Sequence, residues 1–471
     1  MNCPRCGTAC LPETKFCKNC GAAIGAASSA QGAAAPQPVV SVGYPPAYPG
    51  APTAPPGTVP VVYQASPGGP QQVYYMPAHG GQAHASAGLL EGLNAQIRAI
   101  ASTDQLEGFS LKQTFGQAFS RHTEDEINDY LVTGSSRTTP PLEMVNTDWP
   151  APWMFFRLLA VLAVAYAFYY GLYLYTQNEH TIPAIMVLGA FAVPLASLML
   201  VWELNTPRNM SIVTVLRFVI AGGAVSWAIA GLVEGLSFCN PSNSLFVLFP
   251  GLIEEGAKIL AVVVVAWGAT SQRYKYQLNG ILIGCAVGAG FACVETLGYG
   301  LATYDQIIIG SVLQATATTT LPMVLTAATK GMFTELTLRG VLAPFGHVVW
   351  CAITAGALWR VKGDRAVSFA MLLDGRFLKA FMIPMVMHDI WDISISFPKN
   401  AFLNSMAGQA CGWVLTGAIS WYVLFTMIQQ GLHQVRDMKR AQLEHTVAHV
   451  EATLGLGAKV PAVAQQYPAG A

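Results

Sequence analysis

The chain has 471 residues, 53% of them hydrophobic and only 11% charged, with a mean hydropathy of +0.43. An ordinary soluble domain carries roughly 25% charged residues, so a water-soluble globular enzyme is excluded. Its 25 basic and 25 acidic side chains cancel to a formal charge of zero; no net field recruits nucleic acid, and none is expected as a partner.

The N-terminus, MNCPRCGTAC, has no apolar h-region and no small-residue cleavage site, so no cleavable signal is expected and the head should stay cytoplasmic. Five of the ten cysteines fall in the first 20 residues. The pairs CPRC and CKNC each present two thiolates from one tight turn, followed by Gly7 and Gly21, and two such turns complete a tetrahedral zinc shell. A small zinc ribbon is expected over 1–22, with structural Zn2+ on Cys3, Cys6, Cys17 and Cys20 and with Cys10 as a bystander. From Asn19 to Leu90 there is no Asp, Glu, Lys or Arg, and Pro, Ala, Gly and Gln dominate. Such a composition cannot bury enough apolar surface to offset chain entropy, so a disordered linker is expected over 23–90. Residues 91–150 regain charge, and LLEGLNAQIRAI and FGQAFSRHTEDEINDYL predict short juxtamembrane cytosolic helices leading to Trp149 and Trp153 at the membrane interface.

Eight apolar windows follow, at about 153–176, 182–202, 211–233, 244–268, 279–301, 344–361, 377–397 and 404–428. The fold class expected is an all-α polytopic membrane protein of about eight transmembrane helices over 151–430, with a cytosolic C-terminal helix and tail over 431–471. With both termini cytoplasmic, Arg208, Arg273 with Lys275, Arg360 with Lys362 and Arg365, and Arg436 with Lys439 and Arg440 all lie at inner ends. The outer segment 302–343 fits either another span or a re-entrant hairpin, and its threonines with Lys330 and Arg339 favour the hairpin.

The second and eighth windows carry no charge, whereas the fourth to seventh concentrate ionisable groups, each of which needs a reason at mid-membrane. LFPGLIEEGAKILAVVVV places Glu254 and Lys258 on one helical face and turns Glu255 about 100° away, so that one carboxylate can pair with the lysine. GAVGAGFACVETLGYG sets Phe291 and Glu295 at i, i+4 on a helix thinned by Gly284, Gly288 and Gly290 for close approach. FGHVVWCAITAG opens the next window with His347, and MVMHDIWDIS sets His388 and Asp392 at i, i+4 with Asp389 turned away. Counted along alternating spans, these groups reach one level in the outer half of the bilayer, where only a hydrated pocket can hold them.

EEGAK, then FACVE, then a GH-initiated span, then HDIWD, in that order and each on its own helix, resemble the PrsW family of glutamic-type intramembrane proteases, related to the type II CAAX prenyl endopeptidases. The resemblance covers about 240–400. It implies an endopeptidase cleaving a membrane-anchored protein, of the anti-sigma-factor kind, in the plasma membrane of a prokaryote. It also implies Glu254, Glu255, Glu295, His347, His388 and Asp392 as catalytic residues, with Lys258 and Phe291 in support.

The residues allow a mechanism of their own. Glu254 or Glu255, desolvated beside a second carboxylate, suits a general base, and Lys258 keeps the other ionised. His347, or His388 oriented by Asp392, would donate to the oxyanion, and Glu295 would order the water or a histidine. No metal is expected at this catalytic site, because the adjacent carboxylates diverge and Lys258 would repel a cation. Glu254→Gln and Glu255→Gln are then each expected to leave folding intact and abolish cleavage. The alternatives are a zinc-dependent hydrolase using Glu254, Glu295, His347 and His388, a proton-coupled transporter, for which no inverted repeat is found, and purely structural pairing.

Overall fold

In this computed structural model the described residues are 39–41, 58–64, 71–77 and 88–453, apart from 104–105, 107–108, 136–137, 236–249, 268–273, 317–318 and 397–405. The cysteine ribbon expected over 1–22 lies outside them. The chain divides into two units, Met1–Ala87 and Gly88–Ala471.

In the first unit, three strands pair antiparallel in the order β1 (Val39–Ser41), β2 (Thr58–Gln64) and β3 (Gln71–Pro77). Val62 sits opposite Val73 and Gln64 opposite Gln71. They lie within the segment read as a disordered linker. Averaged composition hid the runs TVPVVYQ and QQVYYMP, which are rich in β-branched and aromatic residues that suit a pleated ladder.

The second unit is helical. Its head has α1 (Gly88–Ala101), α2 (Leu111–Phe115) and α3 (Glu124–Leu131). A capping box starts α3: Thr123 Oγ1 accepts from Glu126 N at 3.3 Å, and Glu126 Oε2 accepts from Thr123 N at 2.7 Å. That backbone donor holds the Glu126 carboxyl below its ordinary value. Arg360 reaches back to the carbonyls of Ala101 and Ser102, satisfying the C-terminal end of α1.

Among the described residues nine longer helices follow: α4 (Met154–Thr176), α5 (Ile182–Leu204), α6 (Ile212–Glu234), α7 (Pro250–Val265), α8 (Gln277–Leu313), α9 (Leu321–Leu342), α10 (His347–Lys362), α11 (Gly375–Ser396) and α12 (Met406–Thr453). Among the described residues, six stretches are long and apolar enough to cross a membrane. The chain is thus a multi-pass membrane protein, as expected. The expected windows 244–268 and 377–397 extend into residues outside the described ones; their described parts are α7, of 16 residues, and α11, which carries Arg376, Lys379, Asp389 and Asp392.

Two boundaries also move. The 37 residues of α8 span about 55 Å at 1.5 Å per residue, so the helix continues far beyond the expected end at 301. The segment read as a re-entrant hairpin is the end of α8 plus α9, and Leu321–Lys362 counts as one apolar stretch. Likewise the C-terminal tail helix is no separate element, because α12 runs unbroken through 48 residues and Gly431 packs on Leu278 instead of ending it.

The centre of the bundle is the α8–α10 seam. A Cβ on Gly284 would strike the Cys351 carbonyl and one on Gly288 the His347 carbonyl, so the two backbones touch where Glu295 and His347 must meet. Gly284→Leu is expected to destabilise the bundle by more than the roughly 1–3 kcal/mol of ordinary overpacking, since backbone and not a movable side chain is struck. Thermal unfolding of the reconstituted variant checks it, and an unchanged transition would show that the seam does not set the fold.

Candidate active site

Lys258 is the hub. Its position three and four residues after the paired glutamates lets one ammonium reach both: Nζ donates to Glu255 Oε1 at 2.7 Å and to Glu254 Oε2 at 3.3 Å. The lysine is fully buried, with its ammonium 4.2 Å above the Phe291 ring. Nζ also lies 2.8 Å from His347 Nδ1. An ammonium can only donate, so Nδ1 accepts and the ring proton of a neutral His347 sits on Nε2. That nitrogen faces Glu295 Oε2 at 2.8 Å, and the same oxygen pairs with Arg339 Nη2 at 2.6 Å. Arg339 lies 3.9 Å over the Tyr299 ring.

On α11, the buried His388 ring stacks on Trp350 at 4.8 Å between centroids. Its Nδ1 donates to Glu255 Oε1 at 3.1 Å, which leaves Nε2 3.7 Å from Glu254 Oε2 and 3.6 Å from Asp392 Oδ2. Asp389 accepts from Gly251 N at 3.0 Å, capping the start of α7 and tying it to α11.

All eight residues singled out in the sequence therefore converge: Glu254, Glu255 and Lys258 from α7, Phe291 and Glu295 from α8, His347 from α10, and His388 and Asp392 from α11. Three details differ from the sequence reading. Lys258 pairs with both glutamates, because i+3 and i+4 flank the same helical groove. The group that fixes the His388 ring is Glu255, Asp392 lying beyond hydrogen-bond range of it. Arg339, read as part of an outer hairpin, closes the network from α9; its sole sequence signal was a charge in an apolar helix.

The charges do not balance on their own. Four carboxylates, Glu254, Glu255, Glu295 and Asp392, face two permanent cations, Lys258 and Arg339. The excess calls for imidazolium, a proton or a bound cation. Glu254, His347 and His388 can bring ligand atoms within 4.8 Å of one another. Tetrahedral zinc with bonds of about 2.0–2.2 Å sets its ligands roughly 3.3–3.6 Å apart; the pairs Glu254 Oε2–His347 Nδ1 and Glu254 Oε2–His388 Nε2 are at 3.8 and 3.7 Å. Each imidazole also turns its other nitrogen to a carboxylate, Glu295 or Glu255, as metal-bound histidines do. The donor set fits a divalent ion once Lys258 keeps Glu255 and releases the other two acceptors. The expectation of a metal-free site assumed that both adjacent glutamates would have to ligate; this set uses one, and Glu255 offsets the lysine charge.

Among known proteins, the sequence model of one family, described as PrsW family intramembrane metalloprotease, matches residues 207–428. Residues 207–428 are thus similar to the PrsW family. The match contains every residue of the polar cluster and excludes the head, α4 and α5. No curated protein and no solved structure matches the chain. The similarity to the PrsW family supports an intramembrane peptidase, with the bilayer as its working medium.

Proposed function

We propose that this chain is an endopeptidase cleaving a membrane-anchored protein at the cluster of Glu254, His347 and His388. The observation that carries the reading is the double support of the histidines: each has one nitrogen turned to a carboxylate and the other toward Glu254. Those three residues would hold a divalent ion, most simply zinc, which when bound lowers the pKa of a water and polarises a carbonyl. Glu255 and Glu295 keep the imidazoles in one tautomer and one orientation. Asp392, 28% exposed and 3.6 Å from His388 Nε2, is placed to take a proton from a water and return it to the leaving amine. Lys258 holds Glu255 ionised and can donate to a developing oxyanion. The orientation with both termini cytoplasmic rests on the basic loop ends.

A second reading has one observation in its favour. The 2.8 Å contact of Lys258 Nζ with His347 Nδ1 occupies a ligand position, and without a metal Glu254 would itself be the base. Metal analysis separates the two. Purified full-length protein is expected to lose one zinc equivalent on His388→Ala and a different one on Cys17→Ser, and chelation should stop peptide release until zinc is restored. Unchanged metal content in His388→Ala, with activity surviving chelation, would replace the metal reading by the glutamate-base one.

A further inference from the structure

A cavity of about 260 Å3 opens beside His347 and Glu295, bounded by α9 on one side and by α11 and α12 on the other. A water takes about 30 Å3 of liquid volume, so there is room for one long side chain. Its apolar wall is aromatic: the Trp391 and Trp413 rings lie 5.7 Å apart, and Trp350 meets Trp391 edge-on at 5.8 Å. Its polar wall holds Glu335, a half-buried carboxylate with no hydrogen bond and no ion pair within 4 Å among the described residues. Arg339, one turn further along α9, feels the charge of Glu335 but makes its direct contacts with Glu295 and the Tyr299 ring. The Trp413 indole N–H is buried and without an acceptor among the described residues.

A carboxylate with no direct contact partner on a membrane-spanning helix is unfavourable unless something meets it. Indole faces attract cations, aliphatic stems pack on them, and an acid at the end supplies a charge-assisted hydrogen bond. An acidic side chain would be repelled by Glu335 and would find the Arg339 guanidinium already paired. We propose that this cavity is a subsite for a lysine or arginine side chain of the substrate, close to the scissile bond, with Glu335 as its specificity-determining residue. The proposal rests on the proteolytic reading above for what the bound segment is, and not for the binding itself.

The test uses full-length protein in lipid nanodiscs, in a Glu254→Gln background that preserves bound peptide. Single-span peptides, identical except for one Lys, Leu or Glu walked along the sequence, are titrated by fluorescence. At one position Lys should bind roughly tenfold or more tightly than Leu or Glu, as a desolvated cation–π contact plus an ion pair allows. E335Q should erase that preference, and E335K should transfer it to the Glu peptide. Equal binding of the three peptides at every position, or a Lys preference that survives E335Q, overturns the proposal. Cleavage by protein with Glu254 restored is scored separately: a peptide that binds with the expected preference yet is never cut overturns the proteolytic reading and leaves the subsite standing.

Discussion

Replacing His388 by alanine is expected to lower kcat/KM for peptide release by about four orders of magnitude, the scale seen when one member of a concerted catalytic set is removed. The size follows from its position. His388 is the one side chain that contacts Glu255 at 3.1 Å, approaches Glu254 and Asp392 within 3.7 Å, and is clamped by the Trp350 ring. Without it Nε2 is gone, and Glu255 keeps Lys258 at 2.7 Å and the more distant His347 Nδ1 at 3.8 Å. Glu254→Gln should give a comparable loss with little change in stability, because Glu254 is partly exposed and its contact with Lys258 is the longer one. Glu255→Gln is different, and the expectation that it leaves folding intact no longer holds. Glu255 and Lys258 are both fully buried and 2.7 Å apart, and breaking such a pair typically costs about 3–5 kcal/mol. Glu254→Gln is therefore the clean catalytic probe. Its activity and denaturation midpoint, measured beside those of Glu255→Gln, check the distinction; a fully active His388→Ala would remove the site assignment altogether.

How far the site was legible follows from how local each signal was. EEGAK and MVMHDIWD encode their own geometry, because i, i+3 and i+4 neighbours share a helical groove wherever the helix is placed. The glycines at 284 and 288 announced a close approach, and the seam with α10 is where they make it. What the sequence could not reveal is which partner each polar atom selects across helices: that Glu255 and not Asp392 holds His388, or that Arg339 reaches Glu295, depends on helix rotation and depth. Hydropathy also misjudged the ends of α8 and α12, since a helix continues past the apolar window wherever nothing breaks it. The β2–β3 pairing was missed for the opposite reason, two short β-rich runs being diluted in a Pro-, Ala- and Gly-rich segment.

Glu203→Ala is expected to destabilise the unit by about 3 kcal/mol, well above the roughly 1 kcal/mol of an ordinary helix cap. Glu203 ends the otherwise uncharged α5, was not noticed in the sequence, and has no exposed surface. Its Oε1 accepts from Trp153 N at 2.7 Å and Met154 N at 2.9 Å, and its Oε2 from Phe155 N at 2.7 Å. Those are the N–H groups at the start of α4, which have no partner within the helix, at the end of the helix dipole that favours an anion. Tyr130 OH, from α3 of the head, donates to the same carboxylate at 3.0 Å. One side chain thus fastens α5, the first turn of α4 and the head. Alanine leaves four donors facing apolar surroundings, whereas Glu203→Gln retains the shape and one acceptor oxygen and should lose about half as much. Because Glu203 lies outside the PrsW-matched residues and touches none of the cluster, the surviving folded protein should cleave with unchanged kcat. Unfolding midpoints of the three proteins in one lipid, with proteolytic nicking of the head as a second readout, measure the effect. Equal midpoints for wild type and Glu203→Ala would mean that water replaces the carboxylate at the α4 terminus and that the head is held by its other contacts, among them the bonds of Arg360 to Ala101 and Ser102.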